Sequence, residues 1–390
     1  MADKAYITSE ILKWARESAN ISVIDAAKKV PVSPERYLSW ENGDDFPTIR
    51  QAQILSKSFR RPFSLLFLPE IPKDFQPLQD YRRNDAQELD TASLFIIRDV
   101  QEKQNWISEL FEEIGEDKLP FVGKYSINDN PEIVAKDILD TLKINPGNYQ
   151  KAPINVWIEK AETAGIFITR ASYLHSRLVL DRDLIQGFAI ADSFAPFVFV
   201  NSKNWNAPQL FTLVHELAHI WIAKSGISNE VDFDFSDKPK SKFHPVEMFC
   251  NQVAANSLMP RELMIQLGAD SFDSNDLILK QAKQFGISSF ALLVRALNLN
   301  LISQPQYKIL KQSAQDQFEK FLEKEKIKKE KQRAREGGPD TYLLRLNKNS
   351  KLFTRIVMDS FNNGSLSPTI ASNLLNTQIN KFQKFEKLLA

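Results

Sequence analysis

The sequence predicts an α+β protein that is mostly helical, on three observations. Apolar residues recur at helical spacing over most of the chain, from Ile11, Leu12 and Ala15 to the stretch Leu343–Phe361. Three short runs rich in β-branched and aromatic residues, 165–169, 187–191 and 196–201, sit together in the middle and read as strands. Immediately after them, the apolar run Leu213–Trp221 carries His215-Glu216-Leu217-Ala218-His219 in one helical register.

With 390 residues, the chain is too long for one small core, and its composition suggests four regions: 1–70, 71–150, 151–300 and 301–390. Hydrophobic residues make up 43% and charged residues 25%, with no run of bilayer length, so no membrane partner is expected. The start, Met-Ala-Asp-Lys, lacks a signal-peptide pattern, and the single cysteine, Cys250, cannot form an intrachain disulfide; both favour a cytoplasmic location. A formal net charge of +1 excludes a globally basic nucleic-acid binder and leaves only a local patch for such contacts.

In region 1–70, Ile11, Leu12, Ala15 and Ala19 mark a first helix, and Ile21, Ile24, Ala26 and Ala27 a second capped by Ser22. Ser33 reads as the N-cap of a third, with Pro34 at its first position and Asn42-Gly43 at its end. A fourth and a fifth follow over Ile49–Phe59 and Pro62–Leu68. The run 32–43 with Phe46-Pro47-Thr48 resembles the Cro/repressor-type helix-turn-helix family. That resemblance implies a third helix entering the major groove of double-stranded DNA, with Ser33, Pro34, Glu35, Arg36 and Ser39 facing the bases. Ten Lys and Arg against nine Asp and Glu in this region leave a protein partner as the alternative.

Region 71–150 reads as helical connection. Pro69, Pro72 and Pro77 break the exit from the first module, Asp80-Tyr81-Arg82-Arg83 forms a polar tie, and helices cover 94–114 and 133–142. Beyond it, 156–164 is helical, and the strands 187–191 and 196–201 join at Asp192-Ser193 into a small antiparallel sheet. Val198–Asn201 is the strand expected at an edge, where a substrate backbone could add.

On a helix, His215 and His219 lie one turn apart and can bind one cation with Glu216 beside it, the layout of a zinc-dependent hydrolase. A catalytic zinc needs a third protein ligand. The metzincin extension is absent, since Ile222 and Ser225 stand where glycine and histidine would be required. Glu247 is the best-placed third ligand, because it opens a helix whose Cys250, Asn251, Ala254, Ala255 and Leu258 form a small-residue face, ended by Pro260. Glu230, Asp232 and Asp234 are alternatives from a loop. His244 reads as a solvent-facing loop residue, with contact to substrate or the zinc-bound oxygen as the alternative, and Tyr173, His175 and His244 are oxyanion candidates by type only. Cys250, one turn from Glu247, is either a buried structural thiol or a thiolate able to reach the metal.

The blocks 211–219 and 247–260 resemble the ImmA/IrrE family of metallopeptidases, whose pattern is F-T-x-x-H-E-x-x-H followed by E-x-x-A-N-x-F-A-x-x-L-L-M-P. Cys250, Val253 and Ser257 depart from it at packing positions. The resemblance implies a five-helix helix-turn-helix domain, then a zincin-like peptidase domain with its small sheet packed on the H-E-x-x-H helix, then a helical C-terminal region. It carries over His215, His219 and Glu247 as Zn2+ ligands and Glu216 as base. It further implies an endopeptidase of narrow specificity acting on a repressor or similar regulator encoded nearby, in a mobile element or a stress response. The alternative is a DNA-binding regulator, or an antitoxin-like partner-binding protein, whose zinc domain is structural or sensory. In region 301–390, Phe318–Arg335 is a charged helix ending at Gly337-Gly338-Pro339, and 343–361 and 367–375 form a small helical cap with Ser367-Pro368 as a helix start.

Overall fold

The structure is a computed structural model that describes residues 3–71, 78–80, 88–175, 178–228, 244–316, 319 and 340–389. The expected ligand alternatives Glu230, Asp232 and Asp234, the tie residues Tyr81-Arg82-Arg83, and nearly all of the charged helix 318–335 with its Gly-Gly-Pro end lie outside the described residues. In chain order the elements are α1 (Ser9–Glu17), α2 (Val23–Lys29), α3 (Pro34–Asn42), α4 (Ile49–Ser58), β1 (Gln79–Asp80), α5 (Thr91–Ile114), α6 (Pro131–Leu142), α7 (Pro153–Thr163), β2 (Phe167–Ala171), β3 (Tyr173–His175) and β4 (Leu178–Val179). They continue with β5 (Gly187–Ile190), β6 (Phe197–Asn201), α8 (Asn206–Trp221), β7 (Gly226–Ser228), α9 (Pro245–Leu258), α10 (Arg261–Leu267), α11 (Asn275–Phe285) and α12 (Ser289–Asn298). Helix α13 covers 304–316, and α14 (Thr341–Asn349), α15 (Lys351–Asn362), α16 (Pro368–Leu374) and α17 (Phe382–Leu389) close the chain.

These elements form two compact units, and the division falls within α5. The first unit holds α1–α4, the start of α5, and the β3–β4 hairpin. Helices α2, α3 and α4 start where side-chain acceptors satisfy orphan amides. Ser22 accepts from the Asp25 amide, Ser33 from that of Arg36, and Thr48 with Gln51 forms a reciprocal capping box. Gly43, at φ 84°, ends α3 in the left-handed conformation that favours glycine. Ile11, Leu12, Ala15, Tyr37, Trp40 and Leu55 fill the core, while Ile24, assigned to the apolar face of α2, is 56% exposed. The expected fifth helix is a single 3-10 segment, Phe63–Phe67.

The second unit is built around a five-stranded sheet in the order β1-β7-β5-β6-β2. The expected antiparallel hairpin is β5 with β6, but β2 joins β6 in parallel and β1 joins β7 in parallel, so the sheet is mixed. Strand β6 therefore has neighbours on both sides and is not the edge anticipated for Val198–Asn201. Every residue of β5 and β6 is buried, because both faces are covered. Ala189, Val198, Val200 and Ile168 join the core with α8 and α9. Phe167, Phe197 and Phe199 form the aromatic layer opposite, where Phe167 stacks on Phe197 at 4.6 Å between centroids and Phe353 of α15 meets Phe197 edge-on.

The C-terminal cap packs on β2 through α14 and α15. The stretch 343–361 is two helices, broken at Ser350, whose φ is 72°. The break is held from α7: Glu162 accepts from the Ser350 hydroxyl at 2.7 Å and from the Lys351 amide at 2.9 Å, so its carboxylate caps α15. Burial pushes the Glu162 carboxyl up from its ordinary value despite these bonds. The folded chain thus holds this proton more tightly than the unfolded one. The contribution to stability is full below the ordinary carboxylate range and is lost as pH rises through the folded value. Glu162→Gln keeps an acceptor and removes the titration. Its unfolding free energy relative to the parent chain should rise from about pH 4 and level off once pH passes the folded value, as followed by denaturant melts.

Candidate metal centre

Helix α8 is buried on every side from Gln209 to Trp221, the signature of a helix at the centre of a core. It is wedged among α6, α7, α9, β5 and β6. Trp221 anchors its end by donating from Nε1 to Asp137 on α6 at 2.8 Å and stacking on Phe121 at 4.5 Å. A side chain on such a helix has little room to choose its rotamer. The one-turn spacing therefore becomes a fixed geometry, with His215 Nε2 and His219 Nε2 3.2 Å apart.

Helix α9 lies against α8 and brings the third group. It starts at His244, whose Nδ1 accepts from the Val246 amide at 3.3 Å, and Pro245 occupies its first position. Glu247 follows in the first turn, and its two oxygens lie 3.1 Å from His215 Nε2 and 3.2 Å from His219 Nε2. The three side chains are buried and form the one His/Cys/Asp/Glu group among the described residues able to hold a metal ion.

The far sides of the rings explain why the near sides face a cation. His219 Nδ1 is 3.1 Å from the carbonyl of Lys224, which can only accept, so that nitrogen carries the proton and a neutral ring turns a lone pair inward at Nε2. His215 Nδ1 meets Asn251 Oδ1 at 2.9 Å in the same way. Inward lone pairs opposite a carboxylate are repulsive unless a positive charge lies between them, so the donor set fits a metal ion. Burial opposes charge on His215, but the Glu247 carboxylate outweighs it and raises its pKa; on His219 burial prevails and lowers it. Burial alone would raise the Glu247 carboxyl, yet the two imidazoles hold it well below the usual carboxylate range.

Residues 161–297 match the family model described as the IrrE N-terminal-like domain, peptidase M78, and residues 12–66 match that of the helix-turn-helix. The chain carries an IrrE N-terminal-like domain behind a helix-turn-helix. No curated protein matches the chain.

The IrrE N-terminal-like domain takes in β2, β5, β6 and β7 of the sheet with α8 and α9, so all of His215, Glu216, His219 and Glu247 fall inside it. Glu216 is fully buried on α8 beside His215. Cys250 is also fully buried but does not join the metal group; burial, with the charges of Glu247 and Glu216, pushes its thiol well up. His244 is an exposed helix cap. Tyr173 and His175 belong to β3 in the first unit, and neither Tyr173 nor His244 joins the metal group. Sequence reasoning missed Asn251 as the acceptor for His215, although it follows Glu247 by one helical turn and therefore shares its face.

In the helix-turn-helix, Ser33, Glu35 and Arg36 are exposed at the start of α3, and Pro34 and Ser39 are half-buried. Ser33 is engaged as the cap, and Ser39 donates to the Arg36 carbonyl at 2.8 Å. Hydrogen bonds from its own amide and the Ser33 hydroxyl lower the Glu35 pKa, so an anion stands beside Arg36 on this face. Among the described residues no helix is long and apolar enough to cross a membrane.

Proposed function

We propose that the chain is a zinc-dependent endopeptidase of narrow specificity that cleaves a transcriptional repressor or similar regulatory protein. The observation that carries this reading is the convergence of His215, His219 and Glu247 with Glu216 one residue from the first ligand. Ligand atoms 3.1 and 3.2 Å apart compare with the about 3.3 Å expected between ligands of a tetrahedral zinc with bonds of about 2.0 Å. Two neutral imidazoles and one carboxylate leave a fourth position for water. Zinc held there supplies Lewis acidity to a water molecule and to a peptide carbonyl.

The remaining work falls to the chain's own residues. Glu216 accepts a proton at its carboxylate as water attacks the carbonyl carbon, and then delivers it to the leaving amine. Its burial excludes bulk water from that proton. Asn251 and the Lys224 carbonyl keep each imidazole in one tautomer and one orientation. The helix-turn-helix brings the peptidase to double-stranded DNA or to its protein partner, through Arg36 and its neighbours Ser33, Pro34, Glu35 and Ser39 on the exposed end of α3. Cleavage of a regulator there would change gene expression in a mobile element or a stress response.

The test is a proteome incubated with zinc-loaded protein and, in parallel, with Glu216→Gln, followed by sequencing of new N-termini. A small set of cleavages should slow by about 100- to 10,000-fold in the variant, with zinc content unchanged. Zinc-loaded protein that binds DNA but yields no Glu216-dependent cleavage, even with candidate repressors added, would replace this reading with that of a DNA-binding regulator.

A further inference from the structure

Gly187 lies in β5 with its backbone paired on both sides, to Val200 of β6 and to Ser228 of β7. It is absent from the residues with positive φ, so no turn or left-handed conformation calls for glycine. Glycine inside a strand weakens it and marks a place where another group comes close. Here that group is known. A Cβ at 187 would lie 2.6 Å from Thr212 Cγ2, 2.8 Å from Glu216 Oε1 and 3.0 Å from the carbonyl oxygen of Phe199.

From this contact we infer that Gly187 is a positioning residue for Glu216: the bare backbone of β5 is the wall that sets where the carboxylate rests. The inference depends on the peptidase reading for its catalytic meaning, but the geometry stands on its own. Three neighbours compete to yield to an added methyl group. The strand cannot retreat, because ladders hold it from two sides. Thr212 is buried, and its β-branched side chain is stiff at χ1. The carboxylate of Glu216 is the far end of a longer side chain and moves at the lowest cost. Thr212 and Glu216 are one turn apart on α8, so both meet the same point of the strand. None of the three atoms nearest that methyl belongs to His215, His219 or Glu247.

The experiment uses the full chain loaded with zinc, as Gly187→Ala, Thr212→Ser and the double variant. Zinc affinity is read by chelator competition, stability by thermal melting, and rates on a peptide spanning the first site cut by the parent protein in a Glu216-dependent manner. Gly187→Ala should keep its zinc affinity and lose about 100-fold in kcat with KM unchanged, the scale of an ångström misplacement. Thr212→Ser removes the Cγ2 that the new methyl meets first; in the double variant it should restore melting temperature but not kcat. Recovery of kcat together with stability would reduce Gly187 to a packing residue and overturn the inference. So would a crystal structure of the double variant with the Glu216 carboxylate in its parent position. If the parent protein cuts nothing in a Glu216-dependent way, the peptidase reading fails, and that crystal structure still decides the positioning.

Discussion

Replacing Glu247 with alanine should weaken zinc binding by more than about 100-fold, beyond the loss usual for partners that only orient a ligand. Glu247 is the sole anion of the group, and it touches both imidazoles. Without it, two buried neutral rings remain, and His219 already resists charge by burial. Competition with a coloured chelator reads the affinity. Glu247→Gln separates charge from shape, since it retains an oxygen donor in the same place but not the negative charge. Affinity for zinc that survives Glu247→Ala would move the third ligand elsewhere in the chain.

The second large effect belongs to the amino-terminal unit. Glu41 accepts from Arg16 Nε at 2.7 Å and Nη2 at 2.9 Å, a bidentate pair linking α3 to α1 next to buried Tyr37 and Trp40. The carboxylate raises the Arg16 pKa, chiefly through that hydrogen bond, and burial and the Glu41 charge push the Tyr37 hydroxyl up. Breaking a buried pair from one side strands the other charge, so Glu41→Ala should destabilise this unit by about 3 kcal/mol, the lower end of the usual range. The lower end applies because Arg16 keeps the Ile21 carbonyl at 3.1 Å and Glu17 at 3.3 Å. Paired replacement with Arg16→Met and Glu41→Leu should recover most of the loss. Denaturant melts of the three chains check this; a Glu41→Ala variant as stable as its parent would place the pair in water.

What was legible in the sequence was whatever the chain settles locally. Ser33, Pro34 and Gly43 bound α3 by their own chemistry, and His215 and His219 meet because four residues make one helical turn. What was not legible depends on partners far along the chain. Ser350 breaks a continuous apolar stretch because Glu162, from α7, caps the second half. Strand β6 looked like an edge because nothing in 196–201 announces that β2 will pair with it in parallel. The same separation runs through the site. The two histidines and Glu216 come from one motif, whereas the approach of Gly187 to Glu216 appears only when the sheet is laid on α8.

The most direct measurement is zinc K-edge X-ray absorption of the zinc-loaded full chain, beside His219→Ala. The account predicts a four-coordinate first shell of nitrogen and oxygen only, at about 2.0–2.1 Å, with imidazole scattering from two rings that falls to one in the variant. A sulfur neighbour at about 2.3 Å, which Cys250 alone could supply as cysteine, would contradict the His215–His219–Glu247 centre. So would a spectrum unchanged by His219→Ala.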